Sequence, residues 1–133
     1  MGTFQSLEDA KSYFLGDRFA MESGIEIESL GTDSCVCRMK LDARHRNAMG
    51  NVMGGAVFTL CDFAVAVISN HIHQSTVLMD ADIRFLSAAK GDTLTAEAHI
   101  LKSGRTATVC QVIVRDSLSR DIALMTGTGC KLA

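Results

Sequence analysis

The chain has 133 residues, 47% of them hydrophobic, and a formal net charge of -2. That is enough for one core and a single domain over residues 1–133. The slight acidity excludes a nucleic-acid binder that works through bulk positive charge. The opening run Met1 to Asp9 has no basic region followed by an apolar stretch, so no secretory signal is expected. Five cysteines (Cys35, Cys37, Cys61, Cys110, Cys130) sit in apolar stretches without a C-x-x-C pair. This is how small core hydrophobes are used in a reducing compartment, and it points to the cytoplasm.

In chain order, Ser6 with Glu8 and Asp9 behind it opens a short helix that runs to about Leu15, and Gly16 ends it. Strict alternation predicts a strand at Ile25 to Glu28 and another at Cys35 to Leu41, joined by a turn at Gly31 to Ser34. A polar loop from Asp42 to Asn51 leads into a long apolar helix that ends near Asn70 to His73. Its hydrophobic run, residues 52–68, is long enough to suggest a membrane span. It contains Gly54-Gly55 and a central Asp62 and lacks basic flanks, so the expectation is a core helix, apolar on all sides.

Period-two patterning then takes over. Val77, Met79, Ala81, Ile83 and Phe85 fall on one face of a strand, with Asp80, Asp82 and Arg84 on the other. Gly91-Asp92, Ser103-Gly104-Arg105 and Leu118 to Asp121 are turns that separate three further strands. Two strands, one helix and a four-stranded meander give an α+β fold. A curved antiparallel sheet of about six strands wraps the helix, and a second subunit closes the open side.

The residue that stands out is Asp62. A carboxylate in apolar surroundings costs several kcal/mol, of the order of ~3, unless it is paired, hydrated or put to use. Gly54-Gly55 leaves the helix N-terminus open, where free N–H groups and the dipole favour a developing negative charge. An oxyanion site two turns from a carboxylate is the framework of an acyl-transfer site.

The stretch His45 to Ala64 resembles the signature of hotdog-fold acyl-CoA thioesterases of the PaaI (phenylacetic acid degradation) type. Their pattern is roughly N-x-x-G-x-x-H-G-G, followed six or seven residues later by an acid, an apolar residue and Ala. Similarity continues through Asp82 to Asp92 and Lys102 to Thr106. The resemblance implies a hotdog fold and hydrolysis of a small aryl or acyl-CoA thioester. Asn47 and the Gly54 amide would polarise the carbonyl, and Asp62 would be general base or nucleophile. It also implies a homodimer or dimer of dimers with each site shared between subunits, no cofactor beyond the CoA of the substrate, and no nucleic-acid or membrane partner. The chain departs from the pattern at Met53, where the family usually has His.

Around this centre, Gly55, Phe58 and Met53 are candidates for the acyl pocket, with Val65 and Ser69 expected on the Asp62 face. Lys102 and Arg105 flank a turn and are candidates for gripping the CoA phosphates. His71-x-His73 lacks ligand spacing, so no metal site is expected. Two alternatives accompany the hydrolase. A non-catalytic acyl-CoA binder follows from Met53, and a hotdog dehydratase or hydratase would need His45 as its base.

Overall fold

The computed structural model describes residues 2–133. The Ser6 hydroxyl accepts the Asp9 amide at 3.0 Å and starts α1, Leu7–Phe14, as its capping sequence predicts. A second helix, α2 at Arg18–Glu22, is too short to leave a periodic signal; an Arg18–Glu22 ion pair at 2.6 Å spans it. Strands β1 (Ile25–Leu30) and β2 (Ser34–Lys40) follow, then a single 3₁₀ turn at Ala43–His45 and the long helix α3, Gly54–Ile72. The chain finishes with β3 (Thr76–Phe85), β4 (Thr93–Ser103), β5 (Ala107–Asp116) and β6 (Asp121–Lys131).

The six strands form one antiparallel sheet in the order β1-β2-β4-β5-β6-β3. The expected fold class holds, but the four-strand meander does not. Only β4, β5 and β6 follow one another across the sheet. β3 pairs with β6 at the edge, and β4 joins β2 instead. The residues account for this. In β2, Cys35, Cys37 and Met39 are buried and need partners on both sides. In β3, Asp80, Asp82 and Arg84 suit an edge open to water.

The face assignment within β3 is also corrected. The register against β6 slips between Leu78 and Asp80, so Met79 is an extra residue. Before this bulge Thr76 and Leu78 turn inward; after it Ala81 and Ile83 do. Val77 and Met79 are left exposed on the other face. A bulge reverses alternation for everything beyond it.

Helix α3 packs along the sheet through Leu60, Ala64, Val67 and Ile68, all fully buried. It is long and apolar enough to cross a membrane, and in this fold it is the core helix. It is not covered on every side, however. Gly55 and Asp62 are exposed, and Thr59 and Ala66 between and beyond them are only partly buried. These four fall at i, i+4, i+7 and i+11, a stripe of small or polar residues on the face away from the sheet.

Candidate active site

The start of α3 is open. Its N-cap, Met53, has an extended backbone and no side-chain acceptor to offer. The Met53 carbonyl takes the Ala56 and Val57 amides at 3.0 and 3.3 Å. The Gly54 and Gly55 amides find no acceptor among the described residues. Gly54 faces the ring of Phe85, whose Cζ would lie 3.3 Å from a Cβ at that position. A glycine therefore keeps this end accessible. Gly54, Val57, Phe85, Leu86, Ala88 and Ile122 are among the lining of a pocket of ≈ 350 Å³.

Asn47 lies in the loop before the helix. Its Oδ1 accepts the Met49 and Asn51 amides at 3.0 and 3.1 Å, which fixes the side chain. The side-chain nitrogen is left without a partner among the described residues. A donor held in this way is suited to a carbonyl oxygen.

Asp62 is exposed rather than enclosed, because it belongs to the uncovered stripe of α3. It lines a shallow pocket of ≈ 250 Å³ with Asp17, Phe19, Ala20, Thr59 and Phe63. Partial burial in this pocket raises its pKa, and the Asp17 carboxylate raises it further. Burial also raises Asp17. A carboxylate moved upward is a better proton acceptor in its ionised form.

Gly54 and Asp62 are eight residues apart on one helix, or about 12 Å along its axis at 1.5 Å per residue. Hydrogen bonds reach about 3 Å, so one chain does not bring both groups to the same carbonyl.

The other candidates are dispersed. Met53 and Gly55 line a pocket of ≈ 480 Å³ with Phe19, Arg44, His45 and Thr59. Phe58 is half-buried against the core. Val65 and Ser69 are buried, with Ser69 Oγ 3.5 Å from Cys110 Sγ, so they do not share the Asp62 face as expected. Phe58, Val65 and Ser69 fall to one side of Asp62 round the helix, where the fold covers it, whereas Thr59 and Ala66 fall to the other side, which is open. Lys102 and Arg105 are exposed at the β4–β5 turn. That turn adjoins β6 through the Lys131 amide on Thr106 O, and Lys131 is paired with Thr76, just after α3 ends. Within one chain they therefore lie at the far end of the helix from Gly54.

His45 is buried and fully engaged. Its Nδ1 accepts the Asp42 amide at 3.0 Å, so Nε2 carries the proton and donates to Ser23 O at 2.7 Å. No nitrogen is left to serve a dehydratase. His71 accepts the Phe4 amide and stacks on that ring, while His73 lies 3.0 Å from Leu132 O.

Several residues of these pockets escaped sequence reasoning. Phe85 looked like an ordinary inward strand residue, and Asp17 and Phe19 stood in an unassigned stretch. Thr59, three residues before Asp62, was the one with a usable signal.

The thioesterase superfamily model matches residues 49–123. A human protein named acyl-coenzyme A thioesterase 13 is 33% identical over 85 residues, covering 62% of this chain and 61% of that protein. The chain thus spans about three-fifths of that relative's length. Acyl-coenzyme A thioesterase PaaI of Escherichia coli is 29% identical over 121 residues, 90% of this chain and 86% of its own. The solved structure of the E. coli PaaI protein superposes with a TM-score of 0.89 at 28% identity, covering 95% of this chain and 92% of that one. A hypothetical thioesterase from Streptococcus pneumoniae, solved with coenzyme A, superposes with a TM-score of 0.83 at 27% identity, covering 90% and 97%.

Proposed function

The chain belongs to the thioesterase superfamily, and from that premise we propose that it hydrolyses a small aryl or acyl-CoA thioester to free acid and CoA. The observation that carries this reading is the unoccupied Gly54 amide at the start of α3, opening on a pocket. Attack on a thioester puts negative charge on the carbonyl oxygen, and a fixed amide donor there is typically worth roughly 3–4 kcal/mol. The Asn47 side-chain nitrogen supplies a second donor. Asp62 accepts a proton from water, or attacks the carbonyl itself. The thiolate of CoA is a good leaving group, so no strong general acid is required.

The separation of Gly54 from Asp62 calls for two chains. Antiparallel pairing about a two-fold axis lays the exposed stripe of one α3 along the other. Asp62 of the partner subunit then approaches Gly54, and the turn bearing Lys102 and Arg105 of that subunit approaches the same end, where it can grip the CoA phosphates. The free edge of β3, with Val77 and Met79 exposed, favours a second copy of this chain. A dimer or dimer of dimers follows. The five free cysteines, four of them buried, fit a reducing cytoplasm.

The test is thiol release from a panel of aryl, short-chain and long-chain acyl-CoAs. The expected result is turnover of one class, with Asp62→Asn lowering kcat at least about 10²-fold at unchanged fold. Near-normal turnover by Asp62→Asn contradicts the assignment. A second reading, a non-catalytic acyl-CoA binder, is favoured by Met53, whose Cε reaches 3.2 Å from the Cβ position of Gly55. Binding of CoA esters without thiol release on any substrate selects it.

A further inference from the structure

Asp116 ends β5 with its side chain wholly buried, and it organises two segments at once. Its Oδ1 accepts the Leu118 and Arg120 amides at 3.0 and 3.1 Å, which with the Asp116 amide on Arg120 O and the Ser119 amide on Asp116 O closes the β5–β6 turn. Its Oδ2 does something else. It accepts the Lys90 amide at 3.0 Å, from the separate loop that joins β3 to β4. The Arg120 guanidinium binds this same oxygen through Nε and Nη2, at 3.0 and 2.9 Å, and Nη2 also donates to Ala88 O at 2.7 Å. Ser87 Oγ adds a bond to Asp121 O at 2.8 Å. Gly91, at φ +85°, packs so closely on Ser117 that any Cβ would overlap its hydroxyl.

The loop held in this way is a wall of the pocket beside Gly54, to which Leu86, Ser87, Ala88 and Ala89 contribute. The Leu86 and Ser87 amides reach Ile122 O at 2.8 and 3.4 Å, but beyond them this backbone has no regular secondary structure, and Ala88 and Lys90 are tied down through Arg120 and Asp116.

We propose that the Asp116–Arg120 pair is a positioning device for the acyl-CoA: it fixes the 86–90 loop as the wall against which the substrate is bound at Gly54. A carboxylate whose one task was to close its own turn would need neither the second oxygen nor the guanidinium on Ala88. A planar guanidinium can bridge the carboxylate and the carbonyl together, which a lysine ammonium does less well. The proposal rests on the hydrolase reading for its kinetic arm only.

The experiment compares wild type, Arg120→Lys and Arg120→Gln; the Arg120 side chain is 39% exposed, so these variants leave the core intact. Three quantities are read: hydrogen exchange over residues 86–90, calorimetric affinity for phenacyl-CoA (a thioether that cannot be hydrolysed), and kcat and KM on the best substrate. Arg120→Gln should exchange faster in the loop, bind phenacyl-CoA about tenfold more weakly and raise KM similarly, with kcat falling no more than about threefold. Arg120→Lys should recover part of the loss. The proposal is overturned if loop exchange is unchanged, or if it rises while affinity and KM stay at wild-type values. Wild type that binds phenacyl-CoA without turning over any thioester, with Arg120→Gln binding it more weakly, overturns the hydrolase reading and supports the positioning role. No binding of phenacyl-CoA or free CoA by wild type overturns both.

Discussion

Asp17 and Asp62 line the same shallow pocket, one from the junction of α1 and α2, the other from the outer face of α3. Burial raises the Asp62 pKa most, and the nearby Asp17 charge raises it further. A like charge disfavours the ionised form of its neighbour. Replacing Asp17 with Asn removes that charge, so Asp62 ionises at lower pH. The acid limb of the kcat/KM profile should therefore move to lower pH in Asp17→Asn, with a slower plateau because the base is weaker. A pH–rate profile checks this; an acid limb that moves upward contradicts it.

Met53 caps α3 without an acceptor of its own and lies across Gly55. The family pattern has His there. Met53→His is expected to add a polar contact at the carbonyl and raise kcat/KM about tenfold, near the ~1.4 kcal/mol of one modest hydrogen bond. Met53 is 53% exposed, so the imidazole needs no buried space. Thermal stability measured beside thioester hydrolysis separates chemistry from packing. A stable variant with no gain on any substrate would show that Met belongs to this site's own chemistry.

Burial raises the Asp116 carboxyl, but the Lys90 and Arg120 amides, the Arg120 guanidinium and the Leu118 amide outweigh it and hold the pKa at about 2. A folded-state value below the unfolded one makes a contribution that is fully present above the ordinary 3.8. It is lost as pH falls through that value toward about 2. Thermal melts over this acid range should show wild type losing stability more steeply than Asp116→Asn. Parallel curves would mean that the carboxylate is not held by these bonds.

Much of this was legible in the sequence, and the gaps have physical causes. Ser6 with Asp9 marks α1 because a cap is a local interaction. The long α3 declares itself by length and apolar content. The place of β3 was not legible, since alternation reports faces and says nothing about which neighbour a strand takes. The bulge at Met79 reversed a face that period-two counting had assigned. Asp62 draws attention in the sequence through an enclosure it does not have: apolar content marks α3 as a core helix but does not reveal that one stripe of it, Gly55, Thr59, Asp62 and Ala66, stays open. Arg120 reads as a turn residue and Asp116 carries no reading, because their contacts with Ala88 and Lys90 cross about 30 residues of chain.

In the proposed enzyme Gly54 and Asn47 of one chain act with Asp62 of another. Subunit complementation tests it most directly. Asn47→Ala and Asp62→Asn are each made, then unfolded and refolded together in equal amounts. Each alone should be nearly inactive. In a mixed dimer one site carries both lesions and the other carries neither, so the mixture should recover roughly a quarter of wild-type activity if chains pair at random. A mixture no more active than either parent, with mixed dimers demonstrated, would mean that each site is built within a single chain.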